Sequence, residues 1–423
     1  MESGEPITVK IEKLLSGGNG LAREGGRAVF VPGVIPGETV RAEIVRVRKD
    51  YAEARLVTVI DPSPYRRNAP CPLFSECGGC DLQHIDDAMQ LPYKLEAFRE
   101  VLARIARLRD IPLSAPIVSE DSLGYRFRVL LKVQGPMVGF FRRGSHQLVP
   151  VRHCPISHPL INRALPPLAD LVARGEWPNL REIQLQVSER PEQVLLTLFL
   201  AQLEPHGAEA VYRRLKESLP VVGLVLRAGK ASHVLGQDFV TLPLMGESIR
   251  LSDRSFVQAH WHLNERVVPW ALDALEIQRE DRVLELYAGV GNFTVSFARR
   301  AKSVVAVEGG RSAVRDAKWN LRNAGLENVQ ILHGPAEWAA QRLQGHFDRI
   351  FIDPPRSGAG PAVLQVLPKD PKRMVYLSCA PATLARDLRF LIDRGWRLLS
   401  LQPFDMFPQT AHLEVGATLQ KDR

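Results

Sequence analysis

From Asn264 onward short apolar runs alternate with helical stretches, in the order VLELY, helix, VVAVE, helix, VQILHG, RIFID, MVYLS, helix and RLLSLQPF. Strands that alternate with helices lie parallel, because two parallel strands can be joined only through a crossover, and the crossover helices cover both faces of the sheet. The C-terminal part, residues 251–423, is therefore expected to be a doubly wound, Rossmann-like α/β sheet. Open sheets of this kind bind ligands beyond the carboxyl ends of their strands, so the residues that follow each apolar run are the first candidates for chemistry.

The remainder reads differently. From Ile7 to about Ile60, short alternating runs (TVKIEKL, RAVFVPG, TVRAEIVRV, YAEARLVTVI) are separated by glycine or proline turns, which predicts a small antiparallel β-barrel over 1–61. The prolines between Asp61 and Pro70 deny helix and central strand and mark a linker. A helix is expected at about Leu91 to Arg109, then strands (VLLKV, EIQLQV, QVLLTLFLA) with one helix at Ala208 to Ser218. Residues 62–250 are thus assigned to a central α+β domain. A chain of 423 residues exceeds the roughly 250–300 at which a single core stops growing, in keeping with several domains.

Fifty-five Lys and Arg against 47 Asp and Glu give a net charge of +8, compatible with nucleic-acid binding or simple solubility. Between Gly124 and Arg152 six basic residues (Arg126, Arg128, Lys132, Arg142, Arg143, Arg152) stand without an acidic one, interleaved with Tyr125, Phe127, Phe140 and Phe141. Such a stretch can supply phosphate contacts and stacking surfaces, or be a solvated face over an aromatic core. No stretch is apolar enough to cross a bilayer, and the N-terminal MESGEPITVKIEK lacks the apolar segment of a signal peptide; the expected setting is cytoplasmic, without a membrane partner. Five cysteines, Cys71, Cys77, Cys80, Cys154 and Cys379, are an odd number for a disulfide framework and point to metal or catalytic roles.

VLELY runs into Ala288-Gly289-Val290-Gly291-Asn292-Phe293-Thr294, whose glycines permit a tight turn and close approach of a ligand to backbone. The third glycine of the dinucleotide fingerprint is Thr294, which argues against nicotinamide. VVAVE ends in Glu308, placed to accept hydrogen bonds from ribose hydroxyls. RIFID delivers Asp353-Pro354-Pro355-Arg356 and MVYLS delivers Cys379, both at carboxyl ends. Glu414 lies in the apolar run HLEVGATL, a costly position for a carboxylate without a functional pocket. His412, two residues away on the same expected strand, would share its face.

The signatures LELYAGVGNFT, IDPPRSG, YLSCAPATLARDL and FDMFPQTAHLE, with SFVQ upstream, resemble the RNA 5-methyluridine methyltransferase family, in its branch with an N-terminal TRAM domain and an iron–sulfur cluster. The resemblance covers nearly the whole chain. It implies S-adenosylmethionine as cofactor, contacted by Gln258, Tyr287, Asn292, Glu308 and Asp353, with Cys379 as nucleophile and Glu414 as base; His412 is the rival base. The chemistry requires such a pair. C5 of uracil is too electron-poor to attack a methyl sulfonium until a thiolate adds at C6, and the C5 proton must then be removed before the thiolate leaves. Three positions depart from the family pattern: His260 where asparagine is common, Pro335 where an acidic or amide residue often meets adenine, and Phe127 within Tyr125-Arg126-Phe127-Arg128 where a polar residue is usual.

Cys71, Cys77 and Cys80 form C-x5-C-x2-C, and Cys154 follows in His153-Cys154-Pro155. Spacing leaves zinc and a [4Fe–4S] cluster open. The family resemblance implies the cluster, as a brace rather than a redox centre. It also favours ribosomal RNA of the large subunit as substrate, with transfer RNA as runner-up, and the protein is expected to act as a monomer. Cytosine C5 methylation and a non-catalytic RNA-binding role are the competing readings.

Overall fold

A computed structural model describes residues 1–177, 179–343 and 345–421. The N-terminal body is a six-stranded sheet of β1 (Pro6–Lys10), β2 (Lys13–Leu14), β3 (Asn19–Glu24), β4 (Arg27–Pro32), β5 (Thr39–Val47) and β6 (Tyr51–Asp61), ordered β1-β5-β6-β4-β3-β2. Alternate inward residues, among them Ile7, Val9, Val29, Val31, Val40, Ala42 and Ile44, form its core. The sheet is not wholly antiparallel as expected: β4 and β6 pair in parallel, with Ala28 opposite Tyr51. Arg66 locks the end of this body by a salt bridge to the fully buried Glu38, 2.5 Å away, whose carboxylate also accepts from the backbone of Ile35.

The next helix, α1, spans Asp87–Val101 and continues as a wider helical turn over Leu102–Ala106, starting earlier than the expected Leu91. Asp86 caps it by accepting from the Ala88 amide, which fixes the start. The central sheet contains β7 (Arg128–Gln134), β8 (Met137–Phe141), β9 (Leu148–Pro150), β10 (Leu180–Glu189), β11 (Glu192–Leu200), β12 (Val221–Ala228) and β13 (Ala231–Gly236), in the order β13-β12-β11-β10-β7-β8-β9. Helix α2 (Pro159–Ala173) was not anticipated; it forms despite Pro166 and Pro167 within it, and its apolar face, Leu160, Ile161, Ala164, Leu165, Leu168 and Leu171, is buried. Helix α3 spans Ala208–Lys216, and the hairpin β14 (Phe239–Leu244) and β15 (Glu247–Ser252) leads into the C-terminal part.

There α4 (Trp261–Leu275) precedes β16 (Arg282–Leu286), α5 (Thr294–Arg300), β17 (Ser303–Glu308), α6 (Arg311–Asn323), β18 (Val329–His333), α7 (Ala336–Arg342), β19 (Arg349–Ile352), α8 (Gly360–Leu364), β20 (Arg373–Ser378), α9 (Pro381–Ile392), β21 (Trp396–Phe404) and β22 (Glu414–Lys421). The strand order is β18-β17-β16-β19-β20-β22-β21. Five strands are parallel, and β22 returns antiparallel between β20 and β21, an arrangement that strand–helix alternation does not disclose. One face of this sheet, with Val283, Val304, Phe351 and Val375, shares a continuous core with the central sheet. The other face packs α9 and the α1 segment, including Phe98, Leu102 and Leu388. Among the described residues no helix is long and apolar enough to cross a membrane.

Candidate functional site

The reactive groups converge at the carboxyl edge of the C-terminal sheet. Strand β19 ends at Ile352, opposite Tyr376 of β20, so Asp353 and Cys379 leave neighbouring parallel strands at one edge. In the antiparallel pair of β20 with β22, Ser378 stands opposite Val415, so one further step of the register sets Cys379 opposite Glu414. A hairpin strand running backwards thereby brings a residue 35 positions later to face the thiol. Asp353 is half-buried and Glu414 buried. Burial is the principal cause that raises both carboxyls; Asp353 raises Glu414 further, and Arg356 opposes that rise.

The Cys379 thiol is pushed up to about 11, first by burial and then by Glu414 and Asp353, while Arg356 pulls it back. Arg356 had been read only as part of the Asp-Pro-Pro-Arg loop. Its guanidinium lowers both Cys379 and Glu414, and its Nη2 donates to His412 Nε2 at 3.3 Å. His412 lies in the loop before β22, not on the strand as expected, and so does not share a pleat with Glu414. Burial first, and then Arg356, lowers its pKa and keeps it neutral.

That loop, Asp405 to Leu413, is held from outside the C-terminal sheet. Lys94 of α1, a side chain only 1% exposed, reaches Asp405 Oδ1 at 2.8 Å and the Phe407 carbonyl at 2.9 Å. Gln409 adopts the left-handed region (φ +67°), stabilised because its amide donates to Gln90 Oε1, its carbonyl accepts from Asp81 and Leu82, and its side chain donates to Asp87. The Ala411 amide donates to Asp81 Oδ2 at 3.0 Å. Nothing in the sequence marked Lys94 as part of the site; a basic residue among apolar neighbours, such as Ala97 and Phe98, was the available signal.

The glycine-rich turn after β16 forms as predicted, with Gly289 (φ +58°), Gly291 (φ +87°) and also Tyr287 (φ +63°) in left-handed conformations. Glu308 Oε2 accepts from the Gly289 amide at 2.8 Å and Oε1 from the Gly310 amide at 2.5 Å, so its carboxylate bridges the turns after β16 and β17. Asn292 pairs reciprocally with Asn264 of α4, at 2.8 and 3.0 Å, tying the glycine turn to the segment that carries Gln258. The start of that segment is anchored by the fully buried Asp316 of α6, whose carboxylate accepts from the amide and hydroxyl of Ser252 and from the Ser255 hydroxyl. Beneath the turn Glu285 is fully enclosed, and neither carboxylate oxygen has a hydrogen-bond partner. Burial raises its pKa to about 8, with Asp353 and Glu308 adding to the shift and Thr294 opposing it. Sequence reading passed over Glu285 as one residue of a strand.

In the basic stretch, Tyr125 and Phe127 are core residues, each 1% exposed. Five of its six cations have protein partners: Arg128 with Ser255, Asp253 and Gln184, Lys132 with Glu182, Arg142 with Glu76, Arg143 with Asp81, and Arg152 with Asp170. The core reading therefore holds for Tyr125 and Phe127, and these five cations brace the fold rather than stand free for phosphate.

Cys71, Cys77, Cys80 and Cys154 line one cavity of about 60 Å³, together with Phe74, Val129, Phe140 and Ile156. Among the described residues no three His, Cys, Asp or Glu side chains stand close enough to hold a metal ion, so the thiols face a shared space without converging on a point. Burial raises Cys71, Cys77 and Cys80, the last to about 12, as expected for thiols in an apolar wall.

An α/β sheet with a glycine turn, an acid that bridges two turns, and a thiol with two carboxyls at its carboxyl edge, preceded by a small β-body, is the architecture of a cofactor-dependent transferase with an appended module. Comparison with known proteins makes this specific. Residues 125–422 match the family model of tRNA (Uracil-5-)-methyltransferase, and residues 2–57 match the TRAM domain. A Vibrio cholerae 23S rRNA (uracil(1939)-C(5))-methyltransferase is 35% identical over 431 residues, covering 99% of this chain and 96% of that protein. A Gloeobacter violaceus protein described as an uncharacterized RNA methyltransferase is 33% identical over 446 residues, covering 99% and 97%. The fold matches that of a Pyrococcus abyssi tRNA (uracil-54, C5)-methyltransferase in complex with S-adenosyl-L-homocysteine, with a TM-score of 0.80 at 22% identity over 97% of this chain and 99% of that one. The chain belongs to the tRNA (Uracil-5-)-methyltransferase family. It is an S-adenosylmethionine-dependent enzyme that methylates C5 of uridine in RNA.

Proposed function

We propose that methylation proceeds through a covalent adduct between Cys379 and C6 of the target uracil, with Glu414 as the base that removes the C5 proton. The observation that carries this reading is the register that sets Cys379 opposite Glu414 across β20 and β22. S-adenosylmethionine supplies an electrophilic methyl group. Cys379 adds to C6 as the thiolate, which makes C5 a nucleophile; C5 takes the methyl group as its bond to the sulfonium breaks, and S-adenosylhomocysteine leaves. Glu414 then withdraws the remaining C5 hydrogen, and Cys379 leaves as thiolate, restoring the aromatic ring. A carboxyl whose pKa is raised is a stronger base when ionised, which suits removal of a carbon-bound proton. Gln258, Tyr287, Asn292, Glu308 and Asp353 are assigned to the cofactor, with the bridging of the two turns by Glu308 as its support. Cys379→Ala should bind RNA and cofactor yet form no product. Glu414→Gln should methylate but accumulate protein covalently joined to RNA on denaturing gels. Normal turnover by Cys379→Ala would overturn the mechanism, and turnover by Glu414→Gln without adduct would move the base to His412.

The family relatives named for uracil 1939 of 23S rRNA favour large-subunit ribosomal RNA as substrate, with transfer RNA second. Position-mapped nucleoside mass spectrometry on RNA from cells with and without the enzyme decides between them. The working division is a TRAM-like RNA-binding body over 1–61, a central domain over 62–250 and a methyltransferase domain over 251–423, in a monomer.

Cys71, Cys77, Cys80 and Cys154 are assigned to a [4Fe–4S] cluster on the family resemblance; the support is that all four line one cavity, and the thiols would have to draw together to hold it. Bound there, a cluster would cross-link the Cys71–Cys80 segment to Cys154 and demand four deprotonated thiols. Protein purified without oxygen should then carry about four iron atoms per chain. Colourless protein with one zinc would refute this.

A further inference from the structure

We propose that Asp387 and Tyr376 act as positioning residues that hold Arg356 against Cys379, by clamping the loop after β19 onto the strand and helix that flank the thiol. The inference rests on the reading of Cys379 as nucleophile. Arg356 is an exposed residue, so packing does little to fix its side chain. Its reach is set by the backbone from Asp353 to Gly360, and that backbone is fastened at four points. The Arg356 carbonyl accepts from Thr383 Oγ1 at 3.0 Å, and the Ser357 carbonyl accepts from Arg386 at 2.9 Å. The Ala359 amide donates to the Tyr376 hydroxyl at 2.9 Å, and the Gly360 amide donates to Asp387 Oδ2 at 3.1 Å.

The last two fastenings meet in one buried carboxylate. Tyr376 donates its own proton to Asp387 Oδ2 at 2.6 Å, while Asp387 Oδ1 accepts from Arg386 Nε at 2.8 Å. Tyr376 and Asp387 are both 0% exposed. A buried carboxylate that accepts three hydrogen bonds is rigid, and substitution of any partner weakens the hold on the rest. Gly358 closes the arrangement: it has φ +75°, and a Cβ there would come within 2.6 Å of Asp387 Oδ2. Tyr376 lies three residues before Cys379 on β20, and Asp387 lies eight residues after it on α9. One carboxylate thus links the loop that carries the cation to both elements that bracket the nucleophile.

The charged groups that act on Cys379 are Arg356, which favours the thiolate, and Glu414 and Asp353, which oppose it. If the clamp loosens, Arg356 drifts into solvent and the two carboxyls remain. Asp387→Asn keeps the volume, but an amide cannot accept on both sides, so either Arg386 or the Tyr376 and Gly360 donors lose their partner. Tyr376→Phe removes the hydroxyl that joins Ala359 to Asp387 but leaves the carboxylate and its bonds to Gly360 and Arg386, and so guards against a misfolded first variant.

The test is the pH dependence of Cys379 alkylation by iodoacetamide, read by peptide mass spectrometry in the full chain, with Arg356→Gln as reference. Both clamp variants should shift the profile to higher pH in the same sense as Arg356→Gln. A rise of one pKa unit lowers the rate at fixed pH about three- to tenfold, the range reflecting the greater nucleophilicity of a more basic thiolate. Adduct formation with RNA containing 5-fluorouridine should slow equally and recover as pH is raised. Clamp variants with lowered melting temperature but wild-type alkylation profiles would overturn the positioning role. If Cys379→Ala turned over normally, the catalytic reading would fail instead, while the alkylation profiles would still report whether the clamp holds Arg356.

Discussion

Lys94→Met should release the loop that leads into Glu414. The side chain is 1% exposed and its ammonium reaches Asp405 Oδ1 and the Phe407 carbonyl, while Asp81 adds a further favourable field. Methionine fills most of the volume, so the loss is electrostatic rather than a cavity. Removing one partner of a fully buried pair costs about 3–5 kcal/mol. Asp405 is 15% exposed and can recover some hydration, which reduces the expected cost to about 2–4 kcal/mol. At 1.36 kcal/mol per factor of ten, local opening of residues 405–413 should become about 30- to 1,000-fold more frequent. Native-state hydrogen exchange on peptides from that loop measures this directly. The double variant Lys94→Met with Asp405→Asn should regain much of the protection, because the stranded charge is gone. Exchange in Lys94→Met within a factor of two of wild type would refute the argument, and so would a double variant no better protected than the single one.

Three further outcomes follow from the same geometry. With its thiol near 11, Cys379 of the free enzyme should be alkylated about tenfold faster per pH unit from pH 7 to 9, and a plateau below pH 9 would contradict the burial argument. Glu285 has a folded-state pKa raised to about 8, above the roughly 4.3 of an unfolded glutamate, so its neutral form favours folding at low pH and that contribution is lost as pH rises through about 8. Glu285→Gln should therefore lessen the fall in melting temperature between pH 6 and 9, and an unchanged slope would mean the carboxyl is solvated. Gly416→Ala should destabilise by roughly 1–3 kcal/mol, because the new Cβ would overlap the Trp270 ring, and Trp270→Leu should restore part of the loss in thermal unfolding.

How much of this was legible depended on whether the determining interactions are local. The run LELYAGVGNFT gave β16, its turn and α5, because glycine, apolar alternation and helix start signals all act within a few residues. Asp353 and Cys379 could be placed on one edge without coordinates, since parallel strands all present their carboxyl ends together. Glu414 was singled out by its chemistry, an acid in an apolar strand, although the antiparallel return of β22 that sets it against Cys379 is a property of sheet order and not of any segment. His412 shows the cost of extrapolating a pattern: the apolar alternation suggested that the strand included it, but the strand begins at Glu414. Helix α2 was hidden for the opposite reason, because burial of seven residues on its apolar face outweighs the local penalty of two adjacent prolines.

Two of the groups missed, Lys94 and Gln90, act through residues remote in sequence. Lys94 meets Asp405 across 311 positions, and Gln90 meets Gln409 across 319. Asp81, the neighbour of Cys80, holds the Ala411 amide while Arg143 grips both Asp81 and the Cys80 carbonyl. The cysteine-bearing segment is thus hydrogen-bonded directly to the loop that precedes the proposed base. A brace between the N-terminal half and the edge proposed for catalysis accounts for the cysteine-bearing segment and α1 packed against the loop before β22: without them Gln409 would lose the bonds that hold its left-handed backbone, and β22 would enter the sheet from an unrestrained loop.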